Sequence, residues 1–194
     1  MSTGVNDPQS EIHKEFLQSL HQEKIATQDE RAKYALGKLG FLTAYFAVSS
    51  VSLGGVDLFW LLFLVPLVAI GYDLYIRAAD LSIKRMGAFL RSHPMAGASE
   101  SEKAWEIFAA QTRDAYAPLA APLFTAAATI AAAIYIGGKA LSQTSSPHWL
   151  WVFIFTWLIG SLACTTWLWI RHRTIVNQLD GRVPRPDTSQ KDKQ

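Results

Sequence analysis

The chain has 194 residues, half of them apolar, with 18% charged and a formal net charge of +2. Soluble domains average roughly 25% charged, and the apolar residues here gather in runs that suit a helical membrane protein better than a soluble globule. The net charge is too small to point to nucleic acid, and the single cysteine, Cys164, excludes an intramolecular disulfide and a cysteine-based zinc site.

Residues 1–33 form a polar arm of mixed charge, and no cleavable signal peptide is expected in it. After a turn-like Val5-Asn6-Asp7-Pro8, the residues Ile12, Phe16, Leu17 and Leu20 predict an amphipathic cytoplasmic helix. Residues 34–76 are read as two membrane crossings. The first, 34–53, is the weakest run; it carries Ser49, Ser50 and Lys38, which is expected to snorkel toward headgroups. The second, 58–76, holds one charge, Asp73, and a mid-run Pro66 that predicts a kink.

Past the second run, charge returns, yet Ile76, Ala79, Ile83, Met86 and Leu90 keep a 3-4-3-4 apolar spacing. That is the period of a coiled-coil seam, though two heptads are fewer than a free-standing coiled coil needs. The helix is expected to run from Leu58 to Ser92 and to stop at His93-Pro94. Ser99 with Glu102 forms an S-x-x-E capping box for a new helix. Its face of Trp105, Phe108, Ala109, Thr112 and Tyr116 is expected to cover the seam, making 77–116 a cytoplasmic helical hairpin that leads directly into the third crossing. Packing of the seam within the subunit is favoured over pairing with a second copy.

Residues 117–170 supply the third and fourth crossings, 117–138 and 149–170, both free of charge. Gly54-Gly55 and Gly137-Gly138 read as helix ends at short turns. Tryptophans at 149, 151, 167 and 169 fall near the ends of the fourth run, where amphipathic rings prefer the interface. Cys164 reads as a small packing residue. The tail 171–194 is basic and, after Asp180, Pro-containing and expected to be disordered. With four crossings, every Lys and Arg except Lys139 lies on one side of the bilayer. The positive-inside rule then places both termini in the cytoplasm, and the inner (plasma) membrane is the expected location. The fold class expected is all-α: a polytopic membrane protein with four transmembrane helices and a cytoplasmic helical extension.

No phosphate loop, dinucleotide fingerprint, zinc-protease motif or nucleophile elbow is present, so no catalytic residue, metal or cofactor is assigned and no enzymatic activity is expected. Three features remain. Asp73 is an acid at the membrane interface, a default functional candidate, with an i,i+4 pair to Arg77 as its plainer role. Ala121, Thr125, Thr129, Ala133 and Gly137 form a small-residue stripe, either a helix-packing face or a pore wall between copies. Arg77, Lys84, Arg85 and Arg91, with Arg171 and Arg173, form a basic stripe suited to anionic lipid or an anionic ligand. The expected partners are the lipid bilayer, further copies of the chain, and a cytosolic protein or anionic ligand. The leading functional expectation is a homo-oligomeric channel or pore-type effector gated by its cytoplasmic helices. A membrane anchor recruiting a cytosolic partner is the alternative, and a small transporter stands behind both because no carboxylate lies near the bilayer midplane.

Overall fold

The structure, a computed structural model, describes residues 8–53, 56–93, 96–112, 116–142 and 147–180. The turn at Gly54-Gly55, the helix stop at Pro94, Arg113 and the tail beyond Asp180 lie outside the described residues.

The described residues are almost all helical, with a two-residue antiparallel ladder and short connections between the helices. Helix α1 (Pro8–Ser49) leads into strands β1 (Ser52–Leu53) and β2 (Val56–Asp57), paired with Ser52 opposite Asp57. A 3-10 segment, Leu58–Leu64, then passes into α2 (Val65–Ser92). Pro66 sits in the first turn of α2, where its missing N–H costs no hydrogen bond. The expected kink is therefore a change of helix type at that point. Helix α3 (Glu100–Gln111), a short 3-10 turn (Ala117–Leu119), α4 (Ala120–Ser142) and α5 (His148–Asp180) follow. Three stretches, Leu58–Ser92, Ala117–Ser142 and His148–Leu179, are long and apolar enough to cross a membrane.

The first expected crossing is not among them. Residues 34–53 do not form an element of their own: α1 runs unbroken from the polar arm to Ser49, so the expected boundary at residue 33 falls inside one helix. The last 18 residues of α1 include Lys33 and Lys38, which dilute its apolar character. Even so, this part of α1 lies against the 3-10 segment and α2, and its Leu42 is buried with Phe59, Leu62 and Val65. Ala132, Ile136, Leu150 and Ile154 of α4 and α5 complete that apolar core. Trp157 Nε1 donates to the Phe63 carbonyl at 3.0 Å, satisfying a group that the 3-10 segment leaves free.

Helix α3 starts with the expected cap: Ser99 Oγ accepts from the Glu102 N–H and the Glu102 carboxylate accepts from the Ser99 N–H. Its packed face is the opposite of the one expected. Trp105 and Phe108 are 63% and 55% exposed, whereas Glu106 is buried. The carboxylate of Glu106 faces Gly87 of α2, where an added Cβ would come within 2.6 Å of it. Just before α3, Gly97 has a φ of +57°, and its missing Cβ leaves room for the His13 ring of α1. Gly137 and Gly138 are interior to α4, which runs on to Ser142, so they do not end a helix as expected; Gly137 packs beside Trp151. Cys164 is exposed on α5 and has no packing role in the core.

Candidate functional site

Helices α1 and α2 run antiparallel, and their shared face follows a seven-residue step, polar at each position but one. On α1 the positions are Lys24, Arg31 and Lys38; on α2 they are Gly87, Asp80 and Asp73. Lys38 Nζ lies 2.7 Å from Asp73 Oδ1, and Arg31 Nη1 lies 3.2 Å from Asp80 Oδ1. At the third step α2 has no side chain. There Glu106 of α3 reaches over Gly87 and pairs with Lys24. The result is a ladder of three ion pairs that descends from the arm of α1 to the depth of the second apolar run.

The rungs differ in burial, and that sets their energetics. The Lys24 and Glu106 side chains keep 22% and 10% of their exposure, and Arg31 keeps half of its own. A pair as open as Arg31–Asp80 contributes little, about 0–1 kcal/mol, and Lys24–Glu106, more enclosed, stands between it and the deepest rung. Lys38 and Asp73 are 3% and 1% exposed. Two charges so placed are tolerated only when their remaining hydrogen-bonding capacity is met. Lys38 Nζ also donates to Thr125 Oγ1 at 2.6 Å and to the Ala121 carbonyl at 2.9 Å. Thr125 in turn donates its hydroxyl proton to Asp73 Oδ2 at 2.6 Å. One buried cluster thus joins α1, α2 and α4.

Around the middle rung the charges do not balance locally. Asp80 accepts from Arg31 and from Lys84, four residues on, and lies 3.1 Å from His172 Nε2 of α5. Two cations and a histidine share one carboxylate. Arg77 does not pair with Asp73 as expected: Asp73 is taken by Lys38 and Thr125. The Arg77 Nη1 and Nη2 atoms are buried with no hydrogen-bond partner among the described residues. A cavity of about 770 Å³ lies among α1, α2 and the start of α4, with Arg31, Lys38, Arg77, Lys84 and His172 on its wall beside Asp80. Its remaining lining is mostly apolar, including Leu39, Ile76, Ile83 and Phe124.

Farther out, Arg91 donates to the carbonyls of Glu106 and Leu179, both at 3.4 Å, which ties the ends of α2 and α5 to the middle of α3. Glu102 carries a carboxyl held below its ordinary range, chiefly by the Ser99 backbone N–H and next by the Ser99 hydroxyl. Among the described residues no cluster of His, Cys, Asp and Glu could hold a metal ion.

The expected site residues sort as follows. In the seam, Ala79, Met86 and Leu90 are buried, and Ile76 and Ile83 are half-buried at the cavity. In the small-residue stripe, Thr125, Thr129, Ala133 and Gly137 are buried inside the subunit and Ala121 is half-buried. That face is filled by the chain's own helices, so it does not line a path between copies. The basic stripe is divided. Arg77 and Lys84 are on the cavity wall, Arg85 is exposed, Arg91 braces helix ends, and Arg171 and Arg173 stack over Trp167 and Trp169 with 5.5 Å to each ring centroid. Lys38 does not snorkel; it is the cation of the deepest rung. Lys24, Arg31, Lys38, Asp80, Glu106 and Thr125 act together in ways the apolar pattern does not reveal. The readable signal was the seven-residue recurrence of cations on α1 against Asp73 and Asp80.

The chain matches no protein-family model, no curated protein and no solved structure, so its function is argued from this geometry alone.

Proposed function

We propose that the protein is a multi-pass inner-membrane effector of the channel class, assembled from several copies and driven by movement of its cytoplasmic helices. In this reading α1 is the first of four crossings and both termini are cytoplasmic. Supporting the parity, the N-terminal part of α1, the C-terminal end of α2, α3 and the C-terminal end of α5 all meet at one end of the molecule. The carrying observation is the ion-pair ladder. It couples the polar arm of α1 rigidly to α2 and, through Lys38 and Thr125, to α4. A displacement of the arm therefore reaches the transmembrane helices without an intervening flexible joint. The small-residue stripe is used up within the subunit. Contact between copies falls instead to the apolar outer face of α5, where Val152, Phe155, Ile159 and Trp167 are exposed.

The test is ion flux from liposomes containing the purified protein, with insertion checked by protease protection. Wild-type protein should conduct, and Asp73→Asn, which removes the charge of the deepest rung, should change the open fraction severalfold. Correctly inserted protein that passes no ions, or that purifies in detergent as a single subunit, sinks the channel reading.

A second reading rests on a separate observation. Trp105 and Phe108 stand exposed on α3 with ring centroids 5.9 Å apart, an aromatic pair suited to anchoring a cytosolic partner. If α3 is a recruitment face, Trp105→Ala should abolish partner capture and leave membrane insertion intact.

A further inference from the structure

The cavity beside the ladder has a charge surplus that the chain does not resolve. Asp73 is engaged by Lys38 and Thr125, and Asp80 is shared by Arg31, Lys84 and His172. Arg77 remains: it lines the cavity, while both of its terminal nitrogens are closed off from it and have no hydrogen-bond acceptor among the described residues. A buried guanidinium without acceptors is costly, and the shape of its fork matches phosphate or carboxylate oxygens. The start of α4 also lines the cavity, and its N-terminal dipole adds to the positive field. At the same time the cavity is mostly apolar. Leu39 and Phe124, on its two flanks, are half and 39% exposed, so it communicates with the lateral surface of the bundle.

We infer that this cavity binds the phosphate of an amphiphile, with the Arg77 fork turning into it as the principal ligand and the apolar part lying along Leu39, Ile76 and Phe124. The inference rests on the reading of α1 and α2 as membrane helices, which sets the cavity at the level of the inner leaflet, where basic pockets between helices hold anionic headgroups. It does not require that the protein conduct. The same chemistry could arrive from the leaflet as an anionic phospholipid or from the cytosol as a soluble phosphate compound. The site would bear on effector function directly, because its walls include Lys38 and Arg31, two cations of the ladder.

The experiment uses the full chain in nanodiscs of phosphatidylcholine, with phosphatidylglycerol titrated into the bilayer and binding read by native mass spectrometry. Phosphatidylglycerol should be retained at least about tenfold over phosphatidylcholine, the factor expected of a charge-assisted contact. Arg77→Gln should remove that preference. Ala35→Trp fills the cavity without altering a charge; it should remove the preference too, and it decides the matter if Arg77→Gln fails to fold. Lys14→Gln, exposed on the polar arm of α1, should leave retention unchanged. A parallel arm adds glycerol 1-phosphate to protein in phosphatidylcholine: saturable binding lost in the same variants assigns the phosphate to a soluble source. Equal retention of both lipids with no glycerol phosphate binding, or wild-type retention by Ala35→Trp, overturns the inference. Because the readout is mass, a silent conductance assay leaves this result standing, and a negative result here leaves the conductance assay standing.

Discussion

The two ends of the bundle are held by different physics. Near the β1–β2 ladder, Leu42, Phe59, Leu62, Val65, Ile136 and Ile154 form a core without an ionised group. At the other end, α1 meets α2 and α3 through Lys24–Glu106, Arg31–Asp80 and Lys38–Asp73. In lipid the first kind of contact gains mainly from close packing, since hydrocarbon tails are as apolar as leucine. Many near-equivalent packings of such faces exist. The second kind is unforgiving: a charge without its partner is expensive, so the polar end selects one arrangement where the apolar end would accept several.

The sharpest way to break this comparison is at the deepest rung. Lys38→Met leaves Asp73 buried and unpaired, and should cost about 3–5 kcal/mol. The pair Lys38→Met with Asp73→Leu should recover all but about 1 kcal/mol, as replacing both members of a buried pair often does. Leu62→Ala, in the apolar core, should cost about 2–3 kcal/mol with no second-site rescue. Thermal melts in one detergent compare all three. A single Lys38→Met variant more stable than Leu62→Ala would remove the distinction between the two ends.

A smaller effect is expected at the outer rung. Gly87→Ala places a methyl against the Glu106 carboxylate, which must withdraw from Lys24, at a cost of about 1–3 kcal/mol. Gly87→Asp combined with Glu106→Ala moves the acid from α3 onto α2 and should restore the pairing with Lys24. Hydrogen exchange of α3 amides reads both: protection lost in the first variant, and the arm of α1 still protected in the second.

The smallest effect concerns the cap of α3. The Glu102 carboxyl is depressed in the folded chain, so its contribution is complete above the ordinary carboxylate range and is lost as pH falls through the folded value. Amides at the start of α3 should exchange faster on acidification in wild type, and Glu102→Gln should flatten that dependence. A wild-type profile that is already flat would show that the cap does not hold α3.

Much of the architecture was legible because it follows local rules. The apolar runs at 58–76, 117–138 and 149–170, the helix continuing to Ser92 and the Ser99–Glu102 cap depend on neighbours within a few residues. The Lys38 partner was not legible, because Asp73 and Thr125 lie 35 and 87 residues away. The packed face of α1 is only partly legible for a related reason. Leu17, Leu20, Lys24, Thr27, Tyr34, Lys38 and Leu42 are among its packed or half-packed positions, and they mix apolar with polar. A search for apolar periodicity selects Ile12, Phe16, Leu17 and Leu20; the two leucines are half-buried, while Ile12 and Phe16 are exposed. The same bias turned α3 around: Trp105 and Phe108 looked like the packing face, while an acid, Glu106, holds that place because Gly87 leaves it room.

The repeat of seven has one more consequence. Helices that carry matching charges at a fixed interval invite misthreading, in which one strand of the pair zips up a full interval too far. Moved toward the loop end, Lys38 would face Pro66; moved the other way, Asp73 would face Tyr45. Either error strands a lone ion among hydrocarbon, so the innermost pair acts as the stop that lets this polypeptide close in a single alignment.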